Sequence, residues 1–94
     1  MDGRELAEVI GHNARRIRTD AGATLDAVGK AARQHGLASW GGTRVSDFEN
    51  GRVSPTVPTL IAMCLALGEI RRSPLTLAEL LAYDGTVAIN ADLA

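Results

Sequence analysis

Aromatic side chains are scarce in this 94-residue chain, where one Trp, one Tyr and one Phe make up 3%. A sandwich of strands fills its interior with large β-favouring side chains. The 46% hydrophobic content here is dominated by Ala, which suits closely packed short helices instead. Cys64 is the single cysteine, so no internal disulfide can form and a reducing compartment is expected. No apolar run approaches roughly 18 residues and no charged-then-apolar leader opens the chain, which argues against a membrane span and against secretion. Paired catalytic groups are missing too. His12 and His35 have no second ligand at i+3 or i+4 and no nearby cysteine, so neither a metal nor another cofactor is expected. Gly41-Gly42 lacks the preceding strand and following Lys-Ser/Thr of a phosphate loop. Cys64 falls on an apolar helical face and reads as a buried small residue, not a nucleophile. With no active site in view, the chain is not read as an enzyme.

An excess of positive charge is also lacking, since the formal net charge is −1. The distribution is less even. Residues 12–52 carry Arg15, Arg16, Arg18, Lys30, Arg33, Arg44 and Arg52 against Asp20, Asp26, Asp47 and Glu49, a balance of +3. Residues 1–11 and 53–94 each carry −2. A basic centre between acidic flanks fits one face turned toward phosphate, and ordinary surface scatter produces the same pattern about as readily.

What is present is helical periodicity. Leu6, Ile10, Ala14, Ile17 and Ala21 recur at spacings of 4, 4, 3 and 4, one buried face of a first helix that Gly22 stops. Thr24 is an N-cap for a second helix, with Leu25, Val28, Ala31 and Ala32 inward, fading at His35-Gly36. Residues 37–42 contain two adjacent glycines and read as a turn. A third helix is expected over 43–50, with Val45 and Phe48 inward at i, i+3, and Arg44, Ser46 and Asp47 outward. Asn50-Gly51 ends it. Thr56 caps a fourth helix with Pro58 in its first turn. Leu60, Ile61, Cys64, Leu65 and Leu67 place this helix at the centre of the core, and Gly68 is its expected end. Residues 69–75 read as a polar connector. Thr76 and Glu79 form a capping box for a fifth helix through about Ala82. Asp84-Gly85 turns the chain toward a short strand over 86–90, with Val87 and Ile89 on one side. The expected domain is 1–83, with 84–94 a tail or a linker to a further domain.

One order of residues stands out. It runs Arg18, Gly22, Thr24-Leu25, Val28-Gly29, then Val45-Ser46-Asp47-Phe48-Glu49-Asn50-Gly51-Arg52, Pro55-Thr56, Thr59-Leu60, Ala66-Leu67-Gly68 and Leu80-Leu81. This order resembles the Cro repressor-like (XRE) helix-turn-helix family over roughly residues 6–82. The resemblance implies an all-α, five-helix, lambda repressor-like fold whose third helix enters the major groove of double-stranded DNA. It places Gly42, Thr43, Arg44 and Asp47 at the usual base-contacting positions. Arg44 suits guanine O6 and N7; Asp47 either accepts from cytosine N4 or repels phosphate and fixes register. Phosphate contacts are expected from Thr24, Asn50, Arg52 and the backbone N–H groups around Thr56 and Val57. Arg18 with Glu49 resembles the family's internal ion pair between first and recognition helices.

Three departures accompany the resemblance. Leu25 stands where the family has a long polar residue, removing one phosphate clamp. Residues 34–38 lengthen the link before the third helix, which either moves that helix or adds DNA contacts through His35, Ser39 or Trp40. A lone Trp beside Leu37 more often closes a small core. The connector 69–75 is also extended, with Arg71-Arg72 touching backbone phosphate or nothing. By resemblance the protein is a transcriptional regulator, a repressor where its operator overlaps a promoter, in the cytoplasm of a bacterium or encoded by a phage. Such proteins bind as homodimers on half-sites about 10 bp apart, and the dimer surface expected here is the fifth helix or the Val87/Ile89 tail. An antitoxin with a toxin partner and a phage immunity repressor are alternatives of the same fold. A helical protein-interaction module that binds no DNA is the alternative of another class.

Overall fold

The computed structural model describes residues 3–83. α1 (Gly3–Asp20) buries Ala7, Ile10, Ala14 and Ile17 on one face, as their spacing requires. Ala21, expected on the same face, is exposed because the helix has already ended at Asp20 and the chain turns there, with the Gly22 amide donating to the Thr19 carbonyl. α2 (Leu25–Gln34) starts at Thr24, whose hydroxyl accepts from the Ala27 amide at 3.0 Å. α3 (Gly42–Glu49) begins and ends one residue earlier than the periodicity suggests, with Gly41 as its N-cap.

α4 (Val57–Arg71) runs three residues beyond Gly68, correcting its expected end. Gly68 sits inside the helix because the chain folds back over it: a Cβ there would lie 3.3 Å from the Leu75 amide nitrogen and 3.4 Å from the Ser73 carbonyl. The stop comes instead at Arg72, in left-handed conformation, whose amide donates to the last turn. The expected polar connector therefore shrinks to 72–76. α5 (Leu77–Leu81) carries the capping box in full, Thr76 and Glu79 each bonding the other's backbone amide. All the ordered elements among the described residues are helices. The strand expected at 86–90 and the tail 84–94 lie outside the described residues.

The core collects Ile10, Val28, Val45, Met63, Leu67 and Leu80, all essentially inaccessible. α4 packs against α1, α2 and α5, and this decides which of its apolar residues are covered. Ile61 and Leu65, expected inward, are half-exposed beside the more open Val57. The opposite sides of the helix, with Leu60, Met63, Cys64 and Leu67, already face the neighbouring helices.

Two contacts fix α3 and α5 onto α1. Asn13, buried on α1, donates through Nδ2 to the Leu80 carbonyl at 2.8 Å and the Ala82 carbonyl at 2.6 Å. At Gly11 a Cβ would lie 2.5 Å from the carbonyl oxygens of Phe48 and Glu49, so α1 and α3 meet main chain to main chain.

Candidate nucleic-acid interface

Burying Val45 and Phe48 rotates the other side of α3 outward. Thr43 and Arg44 are exposed, while Ser46 and Asp47 are half-buried. Thr43, Ser46 and Asp47, together with Thr24, Leu25 and Asp26 at the start of α2 and with Arg52 beyond α3, line an open concavity between the two helices, and Arg44 lies outside it. Gly42 lies on its wall. A Cβ there would meet Asp26 Oδ1 at 2.3 Å, so the absence of a side chain admits the Asp26 carboxylate against the first turn of α3. A carboxylate beside a helix N-terminus complements the partial positive charge there.

Each expected contact residue has a definite place. The Arg44 guanidinium carbon lies 5.7 Å from the centroid of the Trp40 ring. Asp47 faces Arg52, with Oδ1 to Nη1 at 3.8 Å, a loose pair in which the Arg52 side chain stays 72% exposed. Such a pair constrains Arg52 little and leaves it free to turn to phosphate. Asn50 is engaged internally, its amide donating to the Ser46 carbonyl at 2.8 Å and its oxygen accepting from Arg15 Nη2 at 2.9 Å. Thr56 and Val57 are exposed at the start of α4; the Thr56 amide donates to the Ser54 carbonyl at 2.9 Å, and the Val57 amide lies in the first turn, where helical partners are lacking. Thr56 has its hydroxyl on that of Thr59. Thr24 is exposed at the start of α2, its hydroxyl holding the Ala27 amide.

In the long turn, Ser39 is exposed and His35 Nε2 lies 2.6 Å from Glu69 Oε1 on α4. Trp40 is buried, packed against Phe48 with ring centroids 5.8 Å apart. The structure thus brings Gly42, Thr43, Asp47, Thr24 and Arg52 to one concave surface, sets Arg44 outside it against the Trp40 ring, and leaves His35 against the end of α4.

Beneath this surface sits Glu49, only 2% exposed in its side chain. It accepts from Arg18 Nε at 2.6 Å and Nη2 at 3.0 Å, and from Arg15 Nε at 3.3 Å. The Arg18 guanidinium is held above its ordinary pKa, first by the hydrogen bonds to Glu49; burial opposes this and the Glu49 charge adds to it. Arg18 also donates to the Ala23 carbonyl, tying the α1–α2 turn to the same group. Arg15 reads from sequence as a solvated charge. Its position one turn before Arg18 was the available sign that it shares the partner. Asp26 and Arg33 were equally unmarked in the sequence.

A family model described as a helix-turn-helix domain matches residues 9–73, well over half of the chain. The chain belongs to the helix-turn-helix domain family. This family is related to the XRE type and points to a DNA-binding regulator. Domains of this kind are typically not enzymes. No curated protein and no solved structure matches the chain.

Burial first, and the Glu79 charge second, push the Cys64 thiol up. Among the described residues of the helix-turn-helix domain no group of three or more His, Cys, Asp or Glu is placed to hold a metal. None of its described helices is long and apolar enough to cross a membrane.

Proposed function

We propose that this helix-turn-helix domain binds a specific double-stranded DNA site by inserting α3 into the major groove, and that it represses transcription as a homodimer on two half-sites. One observation carries the reading: α3 turns Val45 and Phe48 into the core and leaves Thr43 and Arg44 exposed to solvent. Arg44 takes guanine through its forked N–H donors, and Thr43 and Asp47 flank it. Thr24, Arg52, the Thr56 hydroxyl and the Val57 amide hold the phosphates on either side. The protein acts in the cytoplasm of a bacterium, or from a phage genome within one.

Selection of bound sites from a random duplex library tests this directly, followed by mobility shifts across a salt series. Two half-sites each neutralising two or three phosphates give a log–log salt slope of about −4 to −5. Arg44→Ala should weaken binding to the selected site more than to random DNA, whereas Arg52→Ala should weaken both alike. Equal losses from the two substitutions, or no enrichment of any sequence, reject the assignment.

A second reading, a helical module that binds a protein and no DNA, draws on Val57, Ile61 and Leu65, which leave an exposed apolar stripe on α4 at i, i+4 and i+8. The salt series separates the two, because an apolar protein contact lacks the steep ionic dependence.

A further inference from the structure

The turn between α2 and α3 is longer than a helix-turn-helix unit needs, yet it is held at several points. The Leu37 amide donates to the Ala32 carbonyl at 3.1 Å, and the Trp40 amide to the Leu37 carbonyl at 3.0 Å. Arg33 Nη1 donates to the Trp40 carbonyl at 2.6 Å. On the other side of Trp40 the main chain runs against α2, where a Cβ at Gly29 would meet the Gly41 carbonyl carbon at 2.8 Å. These contacts fix the backbone on both sides of one indole.

The indole has two neighbours on α3, one turn apart. Phe48 packs against it at an interplanar angle of 58°, and the Arg44 guanidinium lies over its ring. Trp40 is only 7% exposed, so its ring cannot swing away without opening the core. Among the described residues no carboxylate pairs with Arg44; Asp47, three residues on, faces Arg52 instead. The Trp40 ring is therefore the group that restrains this exposed side chain. A free arginine surrenders rotamer entropy when it makes a two-pronged base contact, and a guanidinium already aligned on an aromatic face surrenders less.

We propose that Trp40 is a positioning residue for Arg44, and that the long turn serves to place an aromatic face under the base-reading arginine, sharpening discrimination at one base pair. The proposal rests on the reading of Arg44 as a base contact.

The test measures affinities of the full chain for the selected duplex, for duplexes substituted one base pair at a time, and for random duplex, at constant salt. The variants are Trp40→Leu, Trp40→Phe, Arg44→Ala and Trp40→Leu/Arg44→Ala. Arg44→Ala should abolish discrimination at a single base pair. Trp40→Leu should lower discrimination at that same pair by about two- to fivefold, leaving other pairs and random duplex unchanged. Trp40→Phe keeps a weaker aromatic face and should lose less, and the double variant should match Arg44→Ala. If circular dichroism shows Trp40→Leu unfolded, Trp40→Phe carries the test, and no loss at that pair overturns the proposal. A Trp40→Leu loss spread evenly over all pairs, or one that adds to the Arg44→Ala loss, also overturns it while leaving the base-reading role intact. If Arg44→Ala changes discrimination at no pair, that role falls first, and the proposal with it.

Discussion

Replacing Glu49 by Ala tests how α3 is held to α1. The Glu49 side chain is 2% exposed and meets Arg18 at 2.6 Å and Arg15 at 3.3 Å. Removing one member of a buried ion pair costs about 3–5 kcal/mol when the other charge is left stranded. Two features lower that figure here. Arg18 keeps the Ala23 carbonyl at 3.0 Å, and the Arg15 side chain is 49% exposed and hydrated without its partner. The expected loss is about 2–3 kcal/mol, which for a domain of this size lowers Tm by roughly 10–20 °C. Urea unfolding followed by circular dichroism measures it, an unchanged m-value licensing the comparison. Arg18→Met/Glu49→Met removes both charges and keeps volume, so it should be more stable than Glu49→Ala by at least about 1 kcal/mol. A Glu49→Ala loss under about 1 kcal/mol, or a double variant no more stable than the single one, refutes the view that a stranded charge governs the cost.

Two further outcomes follow from the ends of α5. Asn13→Ala strips a donor from the Leu80 and Ala82 carbonyls; it should cost about 1–3 kcal/mol and speed amide exchange in α5 first, and uniform exchange across all helices would count against the tether. The Thr76 amide, then the Arg71 guanidinium, hold the Glu79 carboxyl below its ordinary pKa. A lowered pKa in the folded state adds stability that is present above the unfolded value and disappears as pH falls through the folded one. The Tm advantage of the parent over Glu79→Gln should therefore shrink only below the ordinary carboxylate range; an advantage independent of pH would exclude the charged cap as its source.

Local signals were legible because the chemistry behind them spans only a few residues. Thr24 and Thr76 announce their helices by placing an oxygen three residues before an amide, and both caps form. Val45 and Phe48 orient α3 by their spacing alone, which leaves Thr43 and Arg44 outward. Gly68 misled because its reason is tertiary. The segment after Arg72 needs room to cross the helix, and no local pattern records that. Ile61 and Leu65 misled for a related reason: α4 is apolar almost all round, so hydropathy has no period from which to choose the covered side. The same holds at the candidate site. Asp26 and Gly42 are distant in sequence, and only the packing of α2 on α3 brings the carboxylate into the gap the glycine leaves. Trp40 read as either a core plug or a surface group, and its burial under an exposed arginine depends on how the long turn folds.

At Gly11 the seat of α3 is formed by carbonyl groups, which every amino acid possesses, pressed against a position that tolerates no side chain. The seat is thus indifferent to what residues 43, 44, 46 and 47 carry. Mutation is free to change the outward residues of α3 with the angle of presentation inherited unaltered, which on the proposed function would retarget the protein. Gly11 itself does not share this freedom, and it is on a different helix, far along the chain from the residues it supports.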